Sequence, residues 1–566
     1  MALCHGSRRF FVLEDWSVTQ TQNRQLTGSA DIPPTICEAL DRAATLRPQT
    51  EALVGNGDRI SFEQLRIESL KVARGLVASG IRRGDHVAIC AGNSVEWAIL
   101  FHGIVRVGAV CVPVNTRLTP GEIRMQLERA DARMLLTVDG LLKIDFIAVL
   151  REVCPTVDTV LPAPELPLLT DIVVLGNTAL GTCRLYVDFL AKGEGVELPS
   201  LPEPDDVALI QFTSGSTSFP KAVLLTHANM ATDAHFLGKR MGAREGDRYL
   251  SARPFFHVAG STLAVVLSAV HAITLVTMHR FTGEEALRLI REEACTLTSG
   301  NDTMYLMMLG SSDFEPRSYT LRGGWAAISP AIMRRAVEEF GADKTVTGYG
   351  LSEASPNIMA SDHADPVEER IAGWMRPHPG LEVRICDPES DAELTRGQKG
   401  EIRVRGWCVM KGYYRDEQAT RETMTADGFL KTGDMGVMRE DGRVTFVGRL
   451  KEIIRVGGEN VAPADVEDVL IGHPKIRQAQ VFALPDPRLI EVPGAYVVPR
   501  DGETVTADEV LAWAKSRLAG FKLPKYLAVI ESFDIVGLTA SSKVPKRLLI
   551  EHAKRHFGLD EREKAS

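Results

Sequence analysis

A chain of 566 residues is too long for one hydrophobic core and divides into two or more units. Its 45% hydrophobic and 25% charged residues are those of an ordinary globular protein, which excludes a disordered or fibrous chain. The net charge is −9, and the 65 Lys and Arg form no long basic run, which argues against nucleic acid as a partner.

In chain order, "RRFFVL" is followed at once by Glu14 and Asp15, leaving an apolar region too short for a secretory signal. From Ser61 the pattern alternates. "SFEQLRIESLKVARGLVASG" predicts a helix with Gln64 three residues after the cap Ser61, and "DHVAIC" predicts a strand. "VEWAILFHGIVRVG" is helical, "AVCVPV" a continuous apolar strand, "GEIRMQLERA" a helix and "RMLLTV" a strand, which is the alternation of an α/β unit. Residues 155 to 205 hold many Pro and Leu without periodicity and are expected to be irregular. The stretch "GSTLAVVLSAVHAITLVTM", 260 to 278, is long enough for a membrane span. Its Ser268 and His271 and its β-branched second half predict instead a buried helix leading into a buried strand.

Beyond residue 380 short β-rich runs take over, "LEVRICD", "GEIRVRG" and "GRVTFVGR", with turn dipeptides at Asp427-Gly428 and Asp441-Gly442. After Gly448 a small α+β pattern begins: helix "PADVEDVL" with Pro463 in its first turn, strands "QAQVFAL" and "GAYVVP", and helix "TADEVLAWAKSRLAG". That last helix carries Thr506 and Glu509 as a capping box and Gly520 as its stop. The expected domains are therefore 1–448 and 449–566, the boundary falling at 449 to 451, and "DEREKAS" is expected to fray. The nine cysteines show no CxxC pair and often sit in apolar runs, predicting reduced core thiols in a cytoplasmic protein rather than structural zinc.

One stretch raises a chemical question. In "QFTSGSTSFPKAV", Thr213, Ser214, Gly215, Ser216 and Thr217 offer hydroxyls and inward-turning amides to an anion, with the charge of Lys221 close by. The spacing fails the Walker A pattern, which ends in GK[ST], so a P-loop NTPase is disfavoured. Taken alone the loop reads more readily as a solvated turn between two strands than as a phosphate site.

Its company decides between these readings. The ordered series "FTSGSTSFPKAV", "RPFFHVAG", "GYGLSEASP", "GEIRVRG", "YYRDEQAT", "DGFLKTGDMG", "GRLKEIIRVGGENVAPADVE" and "TASSKVPKR" resembles the adenylate-forming superfamily of acyl-CoA synthetases, adenylation domains and luciferases. The resemblance runs from about Ser61 to Lys546. It implies a large N-terminal portion of two α/β subdomains plus a β-barrel, followed by a small mobile α+β lid. It also implies ATP and Mg²⁺, a small carboxylic acid with a hydrophobic or aromatic body, and coenzyme A as acceptor. A carrier-protein phosphopantetheine is the alternative acceptor, a nucleotide-binding protein without catalysis is the rival reading from another class, and a homo-oligomer is compatible. No membrane span is expected.

By the same resemblance, Thr213, Ser214, Gly215, Ser216, Thr217 and Lys221 hold the β and γ phosphates. Tyr349 stacks on adenine, with Gly348 and Ala327 beside it, and Ser352 lies near the α-phosphate. Glu353 carries Mg²⁺, Asp434 binds the ribose, and Arg449 contacts the ribose and phosphate region. Lys543 is the lid lysine that reaches the α-phosphate, Lys451 marks the hinge, and Gly457 and Gly458 admit a pantetheine arm. His257, Asn301, Trp325 and Gly350 line the acyl pocket, although His257 reads as well as a core histidine. The sequence departs from the family where Ser218, Ala222 and Ser542 replace glycines. It departs again where Trp325-Ala326-Ala327-Ile328 replaces Gly-Gly-Ala-Pro, and where no proline precedes Thr303. A demand for positive φ at Ser218 or Ala222 would cost about 1 kcal/mol. The indole of Trp325 either shortens the acyl pocket or simply packs in the core.

Overall fold

Apolar runs as continuous as "HVAIC" and "AVCVPV" have no face to offer water. In the computed structural model His86–Cys90 pairs in parallel with Val110–Pro113, every residue of both strands buried. The structure describes residues 31–178, 180–213, 220–456, 459–537 and 544–559. The readings of "RRFFVL" and "DEREKAS" therefore lie outside the described residues.

Those two strands are central to an eight-stranded sheet in the order Gly412–Tyr413, Lys221–Thr226, Val207–Thr213, Val110–Pro113, His86–Cys90, Met134–Val138, Asp171–Leu175, Arg184–Leu185. From Val207–Thr213 onward neighbours run parallel, and the first three pair antiparallel. A nine-stranded sheet follows the order Arg376–Pro377, Met359–Ala360, Lys344–Tyr349, Gly323–Ala327, Leu297–Asn301, Arg248–Leu250, Thr274–Thr277, Glu51–Gly55, Asp58–Ser61. Its six strands from Lys344–Tyr349 to Glu51–Gly55 are parallel.

Helices fill and cover these sheets. Phe62–Ala78, Val95–Arg106 and His227–Arg240 lie between them, where Leu76, Trp97, Leu100 and Met230 share a core with Val87 and Ile89 of one sheet and Leu275 and Leu297 of the other. Burying each such side chain contributes roughly 1.5–3 kcal/mol. Pro120–Arg129 and Phe146–Val153 cover the outer face of the first sheet, and Gly283–Glu292, Asp302–Leu309 and Pro330–Glu338 that of the second. The reciprocal Ser61 and Gln64 capping box starts Phe62–Ala78 as the sequence predicts.

The 260 to 278 stretch is a π-helical turn, Ser261–Val266, then Leu267–His271 and, past the left-handed Ala272, the buried strand Thr274–Thr277. Among the described residues no helix is long and apolar enough to cross a membrane. The eight described cysteines are unpaired.

The chain after residue 380 supplies two further sheets. Leu381–Cys386, Lys399–Gly406, Leu430–Met438 and Val444–Arg449 form an antiparallel four-stranded sheet. Beyond Arg449, Glu459–Val461, Ile454–Val456, Ile490–Pro499, Ile476–Asp486 and Tyr526–Val529 form a five-stranded sheet. It carries helices Pro463–Ile471, Ala507–Lys515 and Lys546–His556 over its own cores. Pro463–Ile471 packs against Pro330–Glu338 of the second large sheet.

Three expectations need correction. Residues 155 to 205 are not uniformly irregular: Asp171–Leu175 is a buried parallel strand, followed by Arg184–Leu185 and helix Tyr186–Lys192. "DIVVL" was hidden by its prolines and leucines, yet is a short apolar run of the kind that fills a parallel sheet. The β-barrel is among the described residues an open four-stranded sheet, its strands following one path without closure. The helix begun by Thr506 ends at Lys515, not at Gly520, which opens a separate 3-10 turn, Gly520–Lys522. Pro463 does occupy the first turn of its helix.

Candidate active site

The parallel strands of the nine-stranded sheet end together, and the candidates Asn301, Ala327, Tyr349, Gly350, Ser352 and Glu353 lie at or just beyond those ends, where ligands bind in open α/β sheets. Strand Lys344–Tyr349 delivers Tyr349, nearly buried, whose hydroxyl donates a 2.8 Å hydrogen bond to Asp434 Oδ2. Its ring stacks on Phe446 at 5.4 Å between centroids. Gly350 turns the chain sharply, since a Cβ there would lie 1.9 Å from the Pro356 carbonyl oxygen. The turn leads to Ser352–Ala354, where Ser352 and Glu353 are both half-buried.

Asp434 owes its place to a hairpin. The Asp441–Gly442 turn, Gly442 at φ 80, folds Leu430–Met438 onto Val444–Arg449 so that Asp434 faces Arg449 in register. Arg449 Nε lies 3.7 Å from Asp434 Oδ1. Burial pushes the Asp434 carboxyl above the usual carboxylate range, while Arg449 and the Tyr349 hydroxyl pull it back. A buried carboxylate with one oxygen on a phenol and the other toward an exposed guanidinium suits a ligand that brings two hydroxyl donors.

A second hairpin brings the phosphate-loop candidates into the same region. Val207–Thr213 and Lys221–Thr226 pair antiparallel with Thr213 opposite Lys221, so the hydroxyl-rich segment between them is the hairpin's connection. Ser214, Gly215, Ser216, Thr217 and Ser218 lie outside the described residues. Ala222 pairs with Phe212 and has no left-handed φ, so its methyl group meets no strain. The predicted cost at that position does not arise.

Gly412–Tyr413 adds to the edge of this hairpin and places Tyr413 opposite Val223. The Tyr413 hydroxyl donates to Glu353 Oε1 at 2.9 Å, and Lys221 Nζ lies 4.7 Å from the Tyr413 ring centroid. Burial, reinforced by Glu353, raises the Tyr413 hydroxyl above its ordinary range and keeps it a donor. The two chemical candidates Lys221 and Glu353, 132 positions apart in the chain, thus share one phenol. Sequence reasoning missed Tyr413, although it opens the motif "YYRDEQAT"; the residue was visible but its partner was not.

Ala327 is exposed at the end of its strand, opposite Asn301. Gly348 is buried, and a Cβ there would meet Asn357 Nδ2 at 2.8 Å. Asn301 caps helix Asp302–Leu309, its Oδ1 accepting the Met304 amide at 3.0 Å, which gives it a structural duty. His257 is exposed rather than a core histidine, and its Nδ1 accepts the Ala259 amide at 3.2 Å. Trp325 is 4% exposed; its Nε1 donates to the Tyr249 hydroxyl at 2.9 Å, and the Arg253 guanidinium lies 4.2 Å from its ring centroid. Neither Tyr249 nor Arg253 was singled out by the sequence. Lys451 is exposed in the 3-10 turn Leu450–Glu452. Lys543, Ser542, Gly457 and Gly458 lie outside the described residues.

Among the described residues no three His, Cys, Asp or Glu side chains gather to hold a metal. A single half-buried carboxylate, Glu353, whose Tyr413 partner also lies against Lys221, fits a hard divalent ion that takes its remaining ligands from phosphates and water.

Comparison with known proteins gives a consistent result. The family model described as AMP-binding enzyme matches residues 40–414, and that described as AMP-binding enzyme C-terminal domain matches 465–543. A putative acyl-CoA synthetase, YngI, of Bacillus subtilis is 33% identical over 544 residues, 93% of this chain and 98% of the relative. The mitochondrial medium-chain acyl-CoA ligase ACSF2 of Danio rerio is 31% identical over 546 residues, 93% of this chain and 89% of the relative. In fold, the crystal structure of the anthranilate CoA ligase AuaEII with anthranoyl-AMP superposes with a TM-score of 0.83 at 23% identity, covering 93% of this chain and 98% of that one.

Proposed function

This chain belongs to the AMP-binding enzyme family and is an acyl-CoA synthetase, and from that premise we propose that it activates an acid with a hydrophobic or aromatic body at the constellation around Tyr413. ATP, Mg²⁺ and coenzyme A are the partners of that reaction. An acid oxygen attacks the α-phosphorus of ATP, the bond to the bridging oxygen breaks and pyrophosphate leaves. The sulfur of coenzyme A then attacks the acyl carbonyl, AMP departs, and the thiol proton passes to solvent.

Attack at phosphorus spreads charge over phosphate oxygens, so the protein contributes fixed donors and cations more than an acid and a base. Lys221 and the hairpin hydroxyls hold the β and γ phosphates, and Ser352 faces the α-phosphate. Glu353 is the carboxylate that holds Mg²⁺, which when bound neutralises phosphate charge and orients the leaving group. Tyr413 keeps Glu353 and Lys221 apart and in place, since a direct ion pair would spend both charges on each other. Tyr349 and Asp434 take the nucleoside, with Arg449 at the ribose and phosphate. Lys543 enters on a C-terminal lid, residues 449–566, that swings about Lys451 to present Gly457 and Gly458 to the pantetheine arm. The buried side chains Val258, Ala259, Leu263 and Trp325 support an apolar body for the acid.

The observation that carries this reading is the convergence of Lys221 and Glu353 on one tyrosine. Acid-dependent ATP–pyrophosphate exchange over aliphatic and aromatic acids tests it, with thioester formation followed by loss of free thiol. Glu353→Gln is expected to lower exchange about 10²-fold or more while the protein stays folded, since a carboxamide cannot replace a metal carboxylate. Exchange that survives Glu353→Gln at the wild-type rate and Mg²⁺ requirement would remove Glu353 from the mechanism.

A further inference from the structure

The nucleotide end of the site is closed by pairing: Asp434 has Tyr349, and Glu353 has Tyr413. The neighbouring strands, where the acyl-pocket candidates Asn301 and Trp325 lie, are organised differently. Tyr249 is fully buried, accepts from the indole of Trp325 and donates to the Leu263 carbonyl at 3.1 Å, so its hydroxyl proton is taken and the indole is held in one position. Ser299 donates to Ser251 at 3.0 Å, both buried. Beside these satisfied groups lies Arg253. Its Nη2 donates to the Gly300 carbonyl at 2.8 Å, its guanidinium lies over Trp325, and its Nε is buried with no hydrogen-bond partner. Among the described residues it forms no ion pair, and burial disfavours its charged form.

A guanidinium is not neutralised in a protein, and a half-buried one whose Nε is shut off from water with no counter-ion is held against a desolvation penalty. Arg253 sits in "RPFFHVAG", between the end of strand Arg248–Leu250 and exposed His257, on the segment that leads into the apolar helix carrying Leu263. It therefore stands at the foot of the region assigned to the acid, remote in the chain from the carboxylate end at Glu353. We propose that Arg253, braced by Trp325, binds a second carboxylate at the far end of the acid, so that the substrate is a short dicarboxylic acid with an apolar body. The planar fork of arginine suits a carboxylate held by two parallel hydrogen bonds, and the fixed indole both presents that fork and limits the length of the acid. This rests on the ligase reading above and gives its substrate class.

Matched acid pairs test it, each pair differing only at the far end: hexanedioate against hexanoate, and benzene-1,4-dicarboxylate against benzoate, in pyrophosphate exchange. The wild-type protein is expected to prefer the dicarboxylate of at least one pair by about 10-fold or more in kcat/KM. Arg253→Met is expected to lower kcat/KM for that dicarboxylate about 10²-fold and to leave its monoacid and the KM for ATP within about 2-fold. A wild-type preference for both monoacids, or an equal loss on dicarboxylate and monoacid, overturns the proposal. Should Arg253→Met fail to fold, Arg253→Lys keeps a charge but loses the fork; a fall in dicarboxylate preference of about 10-fold supports the assignment and an unchanged preference refutes it. Absence of exchange with every acid counts against the ligase reading instead. Arg253 is then judged by the thermal shift that hexanedioate induces in the presence of ATP and Mg²⁺: a shift in the wild type that Arg253→Met loses supports it, and no shift in the wild type overturns it.

Discussion

The two groups of candidate residues both draw on the nine-stranded sheet and are built by opposite rules. At the nucleotide end each carboxylate is matched by a phenol donor, Asp434 by Tyr349 and Glu353 by Tyr413, at 2.8 Å and 2.9 Å. At the acid end a phenol and an indole satisfy each other, and the cation beside them is left with a buried unpaired nitrogen. The difference teaches where specificity lies. On the proposed assignment, groups that meet an invariant ligand, ATP, can be paired in advance by the protein. A group that must choose among acids does so by leaving a partner for the acid to supply.

Substitutions that act on one end alone break or sharpen this contrast. The largest effect is expected from Lys543→Ala, which should lower adenylate formation about 10²- to 10³-fold while thioester formation from supplied acyl-AMP is kept. The two half-reactions measured separately check this, and an equal loss in both would remove the lid lysine from the nucleotide end. Trp325→Ala should cost about 3–5 kcal/mol of stability as a buried aromatic truncation, read by chemical denaturation. It should extend the accepted acids to longer ones with the KM for ATP little changed; a changed ATP affinity would join the two ends that are separated above.

Tyr413→Phe keeps the ring beneath Lys221 and removes only the hydroxyl on Glu353. Loss of one charge-assisted hydrogen bond, about 1.5 kcal/mol, predicts a roughly 10-fold fall in exchange and a raised Mg²⁺ requirement. Acid selectivity is expected to stay the same, and a titration of Mg²⁺ at saturating ATP decides the point.

The smallest effect lies away from both ends. Asp468, half-buried on helix Pro463–Ile471, has its carboxyl pushed up to about 7, chiefly by burial and then by Asp302 of the large portion. A raised carboxylate binds its proton more tightly folded than unfolded, so its stabilisation is complete below the ordinary carboxylate pKa and is lost as pH rises towards 7. Asp468→Asn should flatten the fall of the melting temperature between about pH 4 and 7. An unchanged pH profile would show that the Asp468 carboxyl is not raised in solution.

Much of the nucleotide end was legible because its residues lie in short segments whose order along the chain is itself informative. Tyr349 and Glu353 are four positions apart in one motif, and Asp434 and Arg449 flank a turn whose Asp-Gly signature sets their pairing. Strands with continuous apolar runs and helices with capping boxes were legible for the same local reason. The strand Asp171–Leu175 was not, since prolines and leucines around it masked a five-residue run. The true end of the helix after Thr506 was also lost, because the apolar spacing continues past Lys515 although the backbone leaves the helix.

The sequence by itself determined the family and the α/β and α+β fold class, and it named candidates for handling the nucleotide, since each is written in local pattern, motif order or spacing. Only the tertiary structure decided which groups are partners. Tyr413 meets Glu353 and Lys221, and Arg253 meets Trp325 without a counter-ion, through strands far apart in the chain. Whether a buried charge is satisfied depends on neighbours in space, and a linear pattern carries that information only when the neighbours happen to lie in one segment.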